Sequence, residues 1–310
     1  MTDDQGSAPR PSEAGILSFL ETCDAFYPAD AVDASIEQQR LWYNALCAQF
    51  SPPHPAGLTT LDETVRDVPI RRYRPAKIRT ETRLLYLHGG GFVVGSLDSH
   101  DSICAEIADR VGAELVAVDY RLAPDHVWPS QHEDCLAVLR ALVESGHKIV
   151  VIGDSAGGNL AAGLCVGAVN EGFSEAIIGQ ALIYPALGGD LVSGSYVEMA
   201  QAPGLTTADV GYYRDILKAP AEDPVAHALC AGDEIIRRLP PAFITAAHFD
   251  PLRDDGRDYA ARLAKAGVEV WYREEPQMVH AWLRARHMSK GAEAGFHALC
   301  IAISKFAGSL

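Results

Sequence analysis

The sequence predicts an α/β fold in which a mostly parallel β-sheet carries helices on both faces. From residue 55 onward, short apolar runs alternate with segments of helical periodicity, and this alternation is typical of a parallel sheet covered on both sides. Two glycine-rich motifs, at 88–91 and 153–157, directly follow such apolar runs. Functional sites in these sheets form at the carboxyl ends of strands, so both motifs fall where a site is expected.

The first part of the chain, residues 1–54, precedes this alternation and predicts two amphipathic helices. Apolar stripes of this kind are usually core, but helices in front of the main fold could equally form a lid. We interpret residues 1–54 as N-terminal cap helices. The apolar residues at helical spacing are Ile16, Leu17, Phe19, Leu20, Cys23 and Phe26 in the first helix and Ile36, Leu41, Leu46, Cys47 and Phe50 in the second.

The later elements follow in order along the chain. Strands are predicted at 65–73, as one or two antiparallel edge strands, and then at 84–87, 114–120, 148–152, 177–184, 242–249 and 268–274. Helices are predicted at 100–111, 131–144, after Ser155, near 254–265 and near 292–306.

The segment 188–228 breaks the alternation. Its strand signal is poor, and Thr206-Thr207-Ala208-Asp209 is typical of a helix start. An excursion of about forty residues within a compact α/β fold is more often functional than idle. We therefore interpret 188–228 as a second cap segment, and 55–187 together with 229–310 as the α/β domain that carries the site.

Composition and charge restrict the partners and the compartment. The formal net charge of −15 argues against binding to nucleic acid or to anionic membranes, because both are negatively charged. The seven cysteines, without any C-x-x-C pair, fit reduced thiols better than a disulfide framework. The polar start of the chain is unlike a signal peptide, and no apolar run is long enough to span a membrane. We expect a cytoplasmic protein that binds a small molecule, with a homodimer left open.

The motif G-x-S-x-G at 153–157 is the first candidate for chemistry. Between a strand and a helix, this motif places its serine, here Ser155, on a sharp turn with the hydroxyl exposed. Gly153 and Gly157 suit so tight a bend because a side chain would clash there, and Asp154 completes the motif. Short motifs of this kind also occur by chance, so a glycine-rich turn without chemistry is the alternative.

A second glycine motif, His88-Gly89-Gly90-Gly91, follows the apolar run 84–87. Such a loop can turn backbone N–H groups toward a substrate oxygen. The alternatives are a phosphate cradle and a flexible turn. Neither G-x-x-x-x-G-K-[ST] nor G-x-G-x-x-G occurs in the chain, which argues against a nucleotide site, and no cofactor is predicted.

A serine nucleophile needs a histidine base, and the base needs a carboxylate that sets its tautomer. Asp250 directly follows the predicted strand 242–249, and His280 lies in a predicted loop, 276–280, after the last strand. Their order after Ser155 is the order serine, acid, histidine. The rival candidates are less well placed: His227 in the excursion, His248 in a strand, His287 and His297 in or near helices, and Asp254 and Asp255 at the start of a helix.

Several motifs together resemble the hormone-sensitive-lipase family of α/β hydrolases. They lie at 88–92, 120–124, 153–158 and 250–254, and the segments 86–92, 97–101 and 280–283 look more narrowly like the bacterial acetyl esterases of that family. The resemblance implies an α/β-hydrolase fold with a helical lid, and hydrolysis of short-acyl carboxylic esters without a cofactor. It also implies that Gly90, Gly91 and Ala156 supply the N–H groups of an oxyanion hole. Asp125 departs from the family pattern, which often has glutamate there.

The mechanism that follows assigns one role to each residue of the triad. His280 removes the proton from Ser155 during attack on the ester carbonyl and then protonates the leaving alcohol, while Asp250 stays ionised. Activity should therefore fall on acidification, because the base must be neutral. The same triad also serves amidases, lactonases and metabolite-specific deacetylases. A non-catalytic binding protein, such as the plant gibberellin receptors that lack the histidine, is disfavoured by the presence of His280.

Six further residues carry additional predictions. His88 is expected to hold the glycine loop by hydrogen bonding rather than to act as a second base. Trp282, beside the proposed base, is a candidate pocket wall, with core packing as the alternative. His126, His132 and Cys135 lack a recognised metal-ligand spacing, so no metal is predicted. Arg121 is expected to anchor a loop, without a partner that the sequence identifies.

Overall fold

The computed structural model describes residues 9–28 and 34–310, so the acidic start of the chain lies outside the described residues. Within these ranges, eight strands form one sheet in the order β1-β2-β4-β3-β5-β6-β7-β8. The strands are Thr59–Val65 (β1), Val68–Arg74 (β2), Arg83–Leu87 (β3), Leu115–Val118 (β4), Ile149–Asp154 (β5), Ile177–Ile183 (β6), Ala242–Phe249 (β7) and Val270–Val279 (β8).

The sheet is parallel from β4 through β8, and only the pairs β1–β2 and β2–β4 are antiparallel. The prediction of a mostly parallel sheet is thereby confirmed.

The helices are Ala14–Phe26 (α1), Ile36–Gln49 (α2), Asp101–Val111 (α3), Ser130–Glu144 (α4), Ala156–Glu171 (α5), Gly194–Glu198 (α6), Thr207–Leu217 (α7), Asp233–Ile236 (α8), Arg253–Lys265 (α9) and Lys290–Ala307 (α10), with short 3-10 helices at Ser174–Ala176, Ala228–Cys230 and Trp282–His287.

Helices cover both faces of the sheet because successive side chains of a strand point to opposite sides. In β3, Leu84 and Tyr86 belong to the core shared with α1, α3 and α10. Leu85 and Leu87 belong to the core shared with α4, α5 and α9. All four side chains are fully buried, which is why the inner strands read as continuous apolar runs.

The first hairpin corrects the prediction of strands at 65–73. The structure has two strands, β1 and β2, joined by Arg66 and Asp67, which both have positive φ, as tight hairpin turns require. β1 is an edge strand whose first four side chains are exposed. It therefore lacks the apolar alternation from which a strand is recognised.

The last strand also corrects the prediction. β8 continues through the predicted loop 276–280 and ends at Val279, so His280 is the first residue after the strand. Pro276 does not stop it because β8 lies at the edge of the sheet and the register shifts there, so that no residue of β7 pairs with Pro276.

The excursion from the sheet contains α6 and α7. Thr206 caps α7 and forms a reciprocal capping box with Asp209, as the predicted helix start requires. On the other side, Arg40 in α2 donates hydrogen bonds to the carbonyl groups of Val93 and Ala123 and forms an ion pair with Asp125.

Arg40 therefore ties α2 to the segment behind the glycine loop, and Asp125 acts there as its ionic partner. The described residues include no helix with the length and apolar character to cross a bilayer. The seven cysteines carry free thiols.

Candidate active site

Ser155 is the single residue between β5 and α5. Its backbone has φ 55° and ψ −118°, a strained conformation that the surrounding turn must hold in place. No residue with a side chain fits at the flanking glycines, because a Cβ on Gly153 would overlap the carbonyl group of Gly157. A Cβ on Gly157 would overlap the carbonyl oxygen of Leu87. The hydroxyl is thus presented at the carboxyl end of a central strand.

The structure brings Ser155, His280 and Asp250 together in one hydrogen-bonded chain. His280 Nε2 lies 2.9 Å from Ser155 Oγ, and His280 Nδ1 lies 2.7 Å from Asp250 Oδ2. The other carboxylate oxygen of Asp250 accepts the backbone N–H of Leu252 at 2.8 Å, and the side chain is fully buried. A carboxylate on Nδ1 keeps the proton there, which leaves Nε2 free to accept the proton of Ser155.

The rival histidines have other partners or positions. His248 faces Glu274 at 2.8 Å, and His287 faces Glu106 at 2.9 Å. His297 lies within α10, and its side chain is exposed. His227 lines the same cavity as Ser155 without a hydrogen bond to it among the described residues.

The rival acids Asp254 and Asp255 open α9, as predicted, and also hold the excursion. Asp254 accepts the backbone N–H of Ser195 at 2.9 Å. Asp255 accepts the N–H groups of residues 187–189, starting with Leu187 at 2.6 Å. Burial raises the pKa of Asp255 to about 6, although these N–H groups oppose the shift.

The glycine loop brings unused donors to the same cavity. Gly90 and Gly91 have φ of 124° and 59°, which are conformations that side chains disfavour. Across the described residues, the N–H groups of Gly90, Gly91 and Ala156 donate to no protein oxygen, and all three residues line the cavity. Donors arranged in this way can stabilise a developing oxyanion.

Asp154 joins the glycine loop to β5. Its carboxylate accepts the hydroxyl of Tyr86 at 2.8 Å and the backbone N–H of Gly89 at 3.0 Å, and His100 Nε2 lies 3.3 Å away. Burial would raise the pKa of Asp154, but His100, the Tyr86 hydroxyl and Arg284 outweigh it and hold the pKa below its ordinary value. Asp154 is therefore ionised, and it fixes the loop that carries the donors.

His88 contacts the glycine loop through a hydrogen bond and stacks on a neighbouring aromatic ring. Its Nδ1 lies 2.8 Å from the carbonyl oxygen of Gly89, and its ring stacks on Tyr120 with a centroid distance of 4.2 Å. Burial lowers the pKa of His88 to about 3, so the ring is neutral near pH 7. These contacts agree with a loop-holding role.

The cavity beside Ser155 has a volume of about 150 Å³. Its walls come from three parts of the chain: the ends of the central strands, α2 with Tyr43, and the excursion with Leu205, Val210 and Tyr213. Tyr43, Tyr213 and Arg284 line this cavity but were not predicted from the sequence. The one available signal was the arginine itself, which lies in the otherwise apolar run Trp282, Leu283, Ala285.

Trp282 is not a pocket wall. The side chain is fully buried in the core and packs edge-on against Tyr184, with a centroid distance of 6.0 Å. His280 and Ala281 line the cavity, and the tight 3-10 helix that starts at Trp282 turns the indole away from it. Adjacency in sequence therefore misled this prediction.

Arg121 has a partner that the sequence did not identify. Its guanidinium forms a forked ion pair with Asp134, with the closest contact at 2.8 Å. His132 and Cys135 are buried in α4, whereas His126 is exposed. Within the described ranges, no group of three or more His, Cys, Asp or Glu side chains is arranged to hold a metal ion.

We expect His132 to make folding stability depend on pH. Burial lowers the pKa of His132 to about 4 in the folded protein, against about 6.5 in an unfolded chain. The free energy of unfolding is therefore highest above pH 6.5 and decreases as the pH falls toward 4. Between pH 7.5 and pH 5, the free energy of unfolding should fall by about 2 kcal/mol more in the wild type than in His132→Gln. Urea unfolding at both values measures this difference, and the exposed His126→Gln should show none.

We expect Gly90→Ala to lower kcat by about 10²–10³-fold, because a Cβ there would overlap the carbonyl group of Val94 and displace the loop donors. Gly146→Ala is the matched control. Gly146 also has positive φ, 84°, but open space surrounds its Cβ position. Equal losses of activity in both variants would contradict a role for the loop in the reaction.

Comparisons with known proteins agree with this geometry. Residues 84–284 match a family described as having the α/β hydrolase fold. The chain is 39% identical to esterase LipI of Mycobacterium tuberculosis, over 86% of this chain and 87% of the relative. It is 31% identical to the ethyl acetate hydrolase of Pseudomonas putida, over 92% and 95% of the two chains. The solved structure of a thermostable carboxylesterase cloned from a metagenomic library superimposes with a TM-score of 0.81 at 31% identity, over 89% of this chain and 99% of the other.

Proposed function

Because this chain belongs to the hormone-sensitive-lipase family of α/β hydrolases, we propose that it is a serine carboxylesterase that cleaves short-acyl esters. The observation that carries the proposal is the hydrogen-bonded chain from Ser155 through His280 to Asp250, with distances of 2.9 and 2.7 Å. The three residues follow the carboxyl ends of β5, β8 and β7, where sites in such sheets form.

The reaction proceeds through an acyl-enzyme. His280 takes the proton of Ser155 as Oγ attacks the ester carbonyl, and the N–H groups of Gly90, Gly91 and Ala156 stabilise the oxyanion. His280 then returns the proton to the leaving alcohol. Water attacks the acyl-enzyme by the same steps in reverse, with Asp250 ionised throughout.

The size of the cavity supports a short acyl group. A cavity of about 150 Å³ holds one group of roughly the size of benzene, which leaves little room for a long chain. One relative is named for its action on ethyl acetate, an ester of a two-carbon acid. The N-terminal helices and 188–228 act together as the cap in this proposal, because Tyr43 and Tyr213 both line the cavity.

Activity with a series of p-nitrophenyl esters tests the proposal. We expect kcat/KM to be highest for acetyl and butyryl esters and to collapse at octanoyl and longer chains. Maximal rates on long chains would refute the short acyl pocket, and turnover of amides or lactones above esters would favour the alternative hydrolases. A non-catalytic binding protein would show no turnover of p-nitrophenyl acetate. The free thiols support a reducing, cytoplasmic location, which cell fractionation tests.

A further inference from the structure

Arg284 is a buried cation in the wall of the cavity that contains Ser155. Its side chain is 8% exposed. One guanidinium nitrogen, Nη2, donates to the hydroxyl of Tyr43, and the guanidinium lies 4.8 Å from the centre of the Tyr43 ring. Nε is buried and has no hydrogen-bond partner among the described residues. The groups around this full positive charge are thus neutral, namely the phenol of Tyr43 and the nearby thiol of Cys47.

Two other arginines, one at the cavity and one in the core, have protein partners for their guanidinium groups. Arg214 also lines the cavity, but it donates to the carbonyl group of Gly189 and to the hydroxyl of Tyr196. Arg286 is buried and pairs with Glu106. For Arg284, no carboxylate of residues 9–28 and 34–310 lies within ion-pair distance. A buried charge without a paired carboxylate is costly unless a ligand supplies one.

The nearby carboxylate of Asp154 does not take this role. Its oxygen atoms are engaged by Tyr86, Gly89 and His100, on the side of the glycine loop. Asp154 and Arg284 influence each other through space, but they form no ion pair. Apart from the hydrogen bond from Nη2 to Tyr43, the guanidinium of Arg284 makes no hydrogen bond to the described residues, and Arg284 lines the cavity.

We propose that Arg284 binds a carboxylate of the substrate, so that the preferred substrates are small esters that also carry a carboxylate. This inference rests on the proposed esterase function. A planar guanidinium matches a carboxylate with two parallel N–H donors, and such charge-assisted hydrogen bonds are the strong ones. Because the cavity has a volume of only about 150 Å³, the carboxylate lies within a few bonds of the ester carbonyl.

Two matched pairs of esters test this specificity and its side. Monoethyl succinate and ethyl 4-oxopentanoate differ by a carboxylate or a methyl ketone on the acyl side. The pair 3-acetoxypropanoate and 4-acetoxy-2-butanone makes the same change on the alcohol side. In the wild type, we expect kcat/KM for the charged ester to exceed that of its neutral partner by at least about tenfold in one pair.

Arg284→Gln should bring that ratio to about one or below, since the charge is removed while a polar side chain remains. Arg214→Gln is the matched control, because Nη1 and Nη2 of Arg214 already donate to Gly189 and Tyr196, and it should keep the wild-type ratio. A second readout avoids catalysis: titration calorimetry of the charged ester into Ser155→Ala, with and without Arg284→Gln. Binding should weaken at least about tenfold with Arg284→Gln.

Three results would overturn the inference. The wild type could show no preference for either charged ester, Arg284→Gln could lower both members of each pair equally, or the ratio could depend on Arg214 instead. The second result would make Arg284 a strut between Tyr43 and the α/β domain. Failure of the esterase proposal has a different signature: none of the four esters is turned over, and the calorimetric comparison alone then decides the role of Arg284.

Discussion

Ser155→Ala is expected to lower kcat by about 10⁵–10⁶-fold, because no other hydroxyl reaches His280 Nε2 in the described structure. The fold should survive the change, since alanine keeps the backbone that joins β5 to α5 and removes only a hydroxyl. Residual rate over water then comes from the oxyanion donors and from binding. Steady-state hydrolysis of p-nitrophenyl acetate measures the loss.

Covalent labelling makes this prediction specific. An organophosphonate should add its mass to the wild type and not to Ser155→Ala. Ser145→Ala, which removes a hydroxyl bonded to the carbonyl group of Ala141 at the end of α4, should keep full activity and labelling. If Ser155→Ala keeps more than about one hundredth of the wild-type rate, the acyl-enzyme mechanism is wrong.

Asp250→Asn is expected to lower kcat by about 10⁴-fold with little change of geometry. Oδ1 of Asp250 accepts the N–H of Leu252 at 2.8 Å, so the carbonyl oxygen of asparagine will take that position. The amide NH₂ must then face Nδ1 of His280, which makes Nδ1 an acceptor and puts the proton on Nε2. That tautomer cannot accept the proton of Ser155.

Asp254→Asn is the control for Asp250→Asn. Asp254 lies at the start of α9 and accepts the N–H of Ser195 rather than a histidine proton. We expect it to change kcat by less than about tenfold. A loss of similar size in both variants would mean that Asp250 supports the local structure and not the imidazole of His280.

The elements of the α/β domain were predictable because their signals are local. Each inner strand contains a short apolar run, and a glycine or proline soon after the run marks its end, as Gly153 does after 148–152 and Pro251 does after 242–249. Ser155, Asp250 and His280 each follow a strand, and this placement was enough to predict that the three residues lie close together. Parallel strands end at one edge of a sheet, so local placement there implies proximity.

The errors occurred where local signals are absent or misleading. β1 has mostly exposed side chains, so it lacks the apolar alternation from which a strand is predicted. Pro276 indicated a loop, although an edge strand such as β8 tolerates proline. Trp282 is a candidate pocket wall because it lies near His280 in sequence, but the 3-10 helix directs its side chain into the core, which was the alternative. Neither an edge position nor a side-chain direction can be read from a pattern of neighbours.

The sequence by itself determined the family, the glycine loop and the candidates for nucleophile, acid and base, because these depend on residue types within a few positions of a strand end. Only the tertiary structure decided the cavity. Tyr43 and Arg284 meet across 241 positions of the chain, and Tyr213 reaches the same space from the excursion. Such contacts result from how helices pack on the finished sheet, so no local pattern in the sequence reveals them.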